Sequence, residues 1–105
     1  MSNQKDAVAQ FKREVNGLYG RRLRDIILYG SWARGDATSD SDIDLAVVLE
    51  GPVSPSAEID RMIDIITNLN LHYNVLLSVY PVSLNDYAVV QSPLLINLRR
   101  EGVPA

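Results

Sequence analysis

The sequence predicts a small α/β domain of the α+β kind, with helices packed on a mixed three- or four-stranded sheet. Three observations predict it. The chain has 105 residues, 47% of them apolar, which suffices for one core and one site. Short, apolar, β-prone runs occur at 26–29, 45–49 and 74–82. Segments with apolar residues at helical spacing separate them, giving the order αβ(α)βαβαα. No repeat, low-complexity tract or linker divides the chain, so residues 1–105 read as a single domain.

The first helix is marked by Val8, Phe11, Val15 and Leu18, with Gly20 as its stop. Ile26-Ile27-Leu28-Tyr29 then forms a buried strand ending at Gly30. Ser31 to Arg34 starts a helical turn that Gly35 stops, and residues 36–41 are loop chemistry. The second strand runs from Asp42 to Glu50 and breaks at Gly51-Pro52. Ser54 before Pro55 is a helix start, a capping hydroxyl with proline at the first helical position. Ile59, Met62, Ile63, Ile66 and Leu69 fall on one face of that helix. A third strand spans Asn74 to Val82, and Ser83, three residues before Asp86, opens a short helix. Leu94, Leu95 and Leu98 mark the last helix, which ends near Gly102.

Composition excludes several functions. The chain has no cysteine, hence no disulfide framework and no thiolate zinc site. No apolar run approaches the roughly 20 residues that span a bilayer. The N-terminus is polar, so a cytoplasmic setting is expected. Net charge is −3, and the basic clusters are Arg21, Arg22 and Arg24, then Arg99 and Arg100. Both clusters are expected near helix C-termini, where cations complement the macrodipole. Direct nucleic-acid binding is therefore not expected. A small anion carrying its own metal, or another protein, fits better as partner.

Two elements carry chemistry. Gly30 lacks a Cβ where a phosphate must approach the backbone, and Ser31 adds a hydroxyl donor at the start of a helical turn. Alone, such a dipeptide is usually just a turn. Asp42 and Asp44 stand two apart at the mouth of an apolar strand, so both carboxylates share one face. Without a cation they repel, whereas Mg²⁺ takes one or two carboxylates together with phosphate oxygens. An isolated Asp-x-Asp is most often a pair of loop acids. Here Asp44 lies between Ile43 and Leu45 at the head of an apolar run, and needs a reason to be there. Asp36 and Asp40 read as ordinary loop acids.

Together the residues run Gly30-Ser31, three residues, Gly35, five residues, then Ser41-Asp42-Ile43-Asp44-Leu45. This resembles the signature of the polymerase-β-type nucleotidyltransferase superfamily, Gly-Ser followed by ten residues and Asp-x-Asp. Arg34-Gly35 and Ser41 match its small prokaryotic members, and the length is similar to the minimal nucleotidyltransferase (MNT) branch. The resemblance implies the nucleotidyltransferase fold and an antitoxin paired with a HEPN-domain toxin. It implies transfer of AMP from ATP to a hydroxyl of that toxin, a tyrosine, with Mg²⁺ or Mn²⁺ as cofactor. On that carry-over Gly30, Ser31, Arg34 and Ser41 hold phosphate, while Asp42 and Asp44 are the catalytic metal ligands. Attack would be in line on the α-phosphorus, with two metals about 4 Å apart.

One part of the pattern is missing. Relatives place a third carboxylate on the neighbouring strand, but Asn74 to Tyr80 contains no acid. Alternation puts Asn74, Leu76, Ser78 and Tyr80 on one face, with Ser78 the first candidate for the third-acid position and Asn74 the second. Serine is a neutral oxygen and a poor base. A binding-only antitoxin with a degenerate site is therefore the alternative, and transfer to a small molecule such as an aminoglycoside comes third. His72 reads as a surface or capping residue, Trp32 as packing, Tyr29 as core, and Tyr80 and Tyr87 as interface candidates.

Overall fold

The computed structural model describes residues 3–105. Its elements are α1 (Asn3–Tyr19), a 3₁₀ turn (Gly20–Arg22), β1 (Leu23–Tyr29), α2 (Ser31–Arg34), β2 (Ile43–Leu49) and α3 (Pro55–Tyr73). They continue with β3 (Leu77–Ser83), α4 (Leu84–Val89), α5 (Pro93–Glu101) and β4 (Val103–Pro104). The sheet is mixed, in the order β3-β2-β1-β4. β1 is antiparallel to both β2 and β4, and β2 is parallel to β3 through the α3 crossover.

β2 is the central strand and is apolar on both faces. Ile43, Leu45, Val47 and Leu49 meet Phe11 and Val15 of α1 and Met62, Ile66 and Leu69 of α3. Ala46 and Val48 point the other way, into Ile27, Val82 and the α5 residues Leu95 and Leu98. Asp44 extends this second row at the head of β2, so period-two alternation carries the row out of the core to the acid. Asp42 stands just before the strand, which begins at Ile43 and not at Asp42. Asp44 is half-buried and Asp42 exposed.

Local rules explain the boundaries. Gly35 ends α2 in the left-handed region at φ 82°. Ser83 and Ser92 cap α4 and α5, their hydroxyls accepting the amides of Asp86 (3.0 Å) and Leu95 (3.3 Å). Ser54 stands at the N-cap of α3 as expected, but its side chain makes no capping bond. Only its carbonyl contributes, accepting the Glu58 amide at 3.0 Å.

Several expectations need correction. β1 begins at Leu23, so Arg24 lies in a strand and not at a helix end. β3 begins at Leu77, because α3 runs on to Tyr73 and Asn74 caps it in the left-handed conformation, φ 52°. Asn74 therefore stands outside the strand and is no candidate for the third-acid position. On α3 Glu58 is buried along with Met62, Ile66 and Leu69, while Ile63 is 46% exposed. Glu58 accepts the Tyr19 hydroxyl at 2.8 Å and an Arg22 nitrogen at 3.2 Å, joining α1, the 3₁₀ turn and α3. β4 follows Gly102, where a Cβ would lie 2.5 Å from Ile27 Cγ2, so only glycine lets the chain turn back onto β1.

The edge strand β3 is protected against pairing. The Ile43 amide donates to Leu76 O, so alternation aims the Leu77 amide outward, where Asn70 Oδ1 accepts it at 2.9 Å. Two steps on in the same outward series, Pro81 has no N–H at all. No described helix is long and apolar enough to cross a membrane.

Candidate active site

The site forms where β1, β2 and β3 end together beneath the Gly30 turn. Register pairs Tyr29 with Asp44 across β1 and β2, and Asp44 with Ser78 across β2 and β3. Tyr29, Asp44 and Ser78 thus form one row on the α5 side of the sheet. Asp42 stands just before the strand, near enough for its charge to act on Asp44, and Tyr80 lies beside Ala46 one step inward.

Gly30 shapes the row. Its backbone, φ 73° and ψ −154°, falls in a region essentially reserved for glycine. A Cβ there would lie 2.2 Å from Asp44 Oδ2. The turn therefore closes directly over the carboxylate, and glycine is required by the acid itself as well as by the backbone. The α2 turn is then locked: Gly30 O accepts the Arg34 amide (3.1 Å), and Ser31 O accepts those of Gly35 (3.0 Å) and Asp36 (3.1 Å).

The loop that delivers Asp42 is also pinned. Trp32 packs against the α1–α3 core, and its indole N–H donates to Ser41 O at 3.2 Å. The Ser41 hydroxyl accepts the Thr38 amide at 3.0 Å, and the Ser41 amide donates to Thr38 O at 3.1 Å. Ser41 thus holds the loop in shape. Arg34 forms exposed ion pairs with Asp36 (3.3 Å) and with Glu101 (3.4 Å) in the last turn of α5.

The electrostatics show strain between the acids. Burial raises the Asp44 pKa, Asp42 raises it further, and Arg34 and the Ser78 hydroxyl pull it back. Tyr29 is pushed up to about 12, by burial first and then by the charge on Asp44 and the neighbouring Tyr80. Its place beside Asp44, rather than in the core alone, is a site feature the sequence reading missed. The signal was its position as the last residue of the strand that must pair with the acids.

Two hard oxygen donors that repel each other under a glycine cradle fit a divalent cation shared with phosphate oxygens. Among the described residues no group of three or more Asp, Glu, His or Cys gathers. Ser78 stands opposite Asp44 on the neighbouring strand. An apolar cleft of about 380 Å³ lies elsewhere, lined by Val8, Leu28, Trp32 and Ile43, and neither acid lines it. His72 is exposed, its ring edge-on to Tyr73 at 4.6 Å.

A mixed four-stranded sheet carrying paired acids under a Gly-Ser turn defines a nucleotidyl-transfer scaffold. The profile of the nucleotidyltransferase domain matches residues 8–91, and the chain belongs to that family. A Methanocaldococcus jannaschii protein named "putative protein adenylyltransferase" is 37% identical over 95 residues, covering 90% of this chain and 80% of its own. A second protein of that organism and name is 29% identical over 73 residues, covering 70% and 73%. A solved structure described as a "putative minimal nucleotidyltransferase" superposes with a TM-score of 0.61 at 22% identity, covering 100% of this chain and 97% of that one. At that identity the likeness speaks for the fold.

Proposed function

We propose that this chain is a protein adenylyltransferase of a toxin–antitoxin pair. It takes AMP from ATP, held with Mg²⁺ or Mn²⁺, and places it on a hydroxyl, a tyrosine, of a HEPN-domain toxin in the cytoplasm. The observation that carries the reading is the Gly30 turn closed over Asp44, with Asp42 near enough for its charge to act there. The relatives' shared name supports the reaction class.

In this reading Asp42 and Asp44 hold the cation, Gly30 and Ser31 admit the triphosphate, and Arg34 offsets its charge. Ser41 serves the phosphate side by fixing the loop that carries Asp42. When bound, the cation supplies positive charge that offsets the triphosphate and favours departure of pyrophosphate. The acceptor oxygen bonds to the α-phosphorus as the bond from that phosphorus to the β-phosphate oxygen breaks. Pyrophosphate leaves with the electron pair. Ser78 is no base at neutral pH, so the acceptor's proton passes to solvent or to a basic group of the partner.

The missing acid favours one alternative, an antitoxin that binds nucleotide and covers its toxin without modifying it. One experiment separates the two. The chain is incubated with Mg-ATP and a HEPN-domain protein encoded beside it, and intact masses are read. An AMP-sized gain on the partner, absent with Asp42→Asn, is expected. No gain with wild type, alongside retained nucleotide binding, establishes the binding-only form.

A further inference from the structure

We infer that Glu101 regulates the nucleotide site by pairing with Arg34, so that the arriving triphosphate competes with α5 for the guanidinium. The inference rests on the nucleotide reading above and concerns how tightly that site binds.

Both ends of the Arg34–Glu101 pair have fixed backbones. Arg34 closes α2, its backbone amide donating a hydrogen bond to Gly30 O. Glu101 lies in the last turn of α5, which is anchored by fully buried Leu98 and by the Gly102 amide donating to Leu98 O at 2.9 Å. Gly102 in turn sits against Ile27 on β1. With both backbones held in packed elements, exchange of partners falls to the two side chains.

The energetic terms favour exchange. The Arg34 side chain is 46% exposed and that of Glu101 35%, and its second partner, Asp36, is 62% exposed. Exposed pairs of this kind hold weakly, because water screens them and two long side chains lose freedom. A triphosphate brings several negative charges to the same turn, and a guanidinium fork matches phosphate oxygens in two-point fashion. The tether is thus strong enough to set the resting position and weak enough to release.

Two carboxylates competing for one guanidinium lower nucleotide affinity by the worth of the contacts that must break. The test is calorimetric titration with α,β-methylene-ATP and Mg²⁺, so that no turnover intervenes. Glu101→Gln is expected to bind about two- to fivefold tighter than wild type, the size of one exposed ion pair. Arg34→Gln is expected to bind more weakly. The decisive arm is the double variant, because removing any negative charge near the site strengthens anion binding through the bulk field. If the tether is the cause, Glu101→Gln gives no gain once Arg34 is glutamine. A gain of equal size in both backgrounds, or no gain in either, overturns the inference. Failure of the underlying reading is distinct: wild type and Asp44→Asn would then both fail to bind the nucleotide.

Discussion

Replacing Gly30 with alanine tests the geometry of the site without touching either acid. The first cost is conformational: φ 73° with ψ −154° suits glycine alone, and holding another residue there costs about 1–3 kcal/mol. The second is steric. The new methyl would meet Asp44 Oδ2 at 2.2 Å, more than an ångström inside ordinary contact, and Asp44 Cγ lies at 3.1 Å. Overpacking of this kind costs about 1–3 kcal/mol. The sum, about 2–6 kcal/mol, corresponds to a Tm loss on the order of 10 °C or more in a domain of this size. Gly35→Ala is the control, since φ is 82° there but nothing lies within 4 Å, leaving only a backbone cost of about 1–2 kcal/mol. Adding Asp44→Ala removes the obstructing carboxylate, so Gly30→Ala should then cost only its backbone share of about 1–3 kcal/mol. Thermal unfolding with and without MnCl₂ reads both effects, and the displaced Asp44 should also abolish stabilisation by Mn²⁺. Equal losses for Gly30→Ala and Gly35→Ala, or a loss that Asp44→Ala leaves unchanged, would refute the argument.

Other outcomes follow from the same contacts. Asp44 has its pKa raised in the fold by burial and by Asp42, so its ionised form destabilises the protein, and stability falls as pH rises from the ordinary carboxylate value through the raised one. Asp44→Asn should therefore melt above wild type at neutral pH, the difference closing in acid; identical melting at neutral pH would contradict the repulsion. Ser78→Asp sets a third carboxylate opposite Asp44. It should lower Tm without metal and raise Mn²⁺ affinity roughly tenfold, a scale typical of changes around a metal site, as measured by metal titration. Glu58→Ala leaves the Tyr19 hydroxyl and the half-exposed Arg22 without their shared carboxylate. A loss of about 3 kcal/mol is expected, near the lower end for a broken buried pair, with an unchanged m-value in urea unfolding.

The parts of this molecule that were legible in the sequence are those governed by short-range rules. Ten residues between Ser31 and Asp42 accommodate one helical turn and a pinned loop, which brings Asp42 to the head of β2 close to Asp44. Alternation grouped Ser78 with Tyr80 on one face, because parity survives an error in where a strand starts. The register that sets Ser78 opposite Asp44 depends on the pairing of β2 with β3. That start was misjudged because Asn74 looks like a strand residue beside Val75 and Leu76, yet caps a helix by adopting positive φ. β4 was not legible: two residues carry no period, and pairing with Ile27 and Leu28 alone makes them a strand. Glu58 was hidden for a similar reason, since its burial depends on Tyr19 and Arg22, 39 and 36 positions away. The Arg34–Glu101 pair, 67 positions apart, and the closure of Gly30 over Asp44 belong to tertiary structure too.

The central claim is that Asp42 and Asp44 hold a divalent cation jointly with a nucleoside triphosphate. Electron paramagnetic resonance of Mn²⁺, titrated with and without ATP, tests it most directly because it reads the ion and not turnover. Wild-type protein should bind Mn²⁺ far more tightly when ATP is present, and Asp42→Asn and Asp44→Asn should each remove that ATP-dependent binding. Undiminished binding in both variants, or no effect of ATP on wild type, would contradict it.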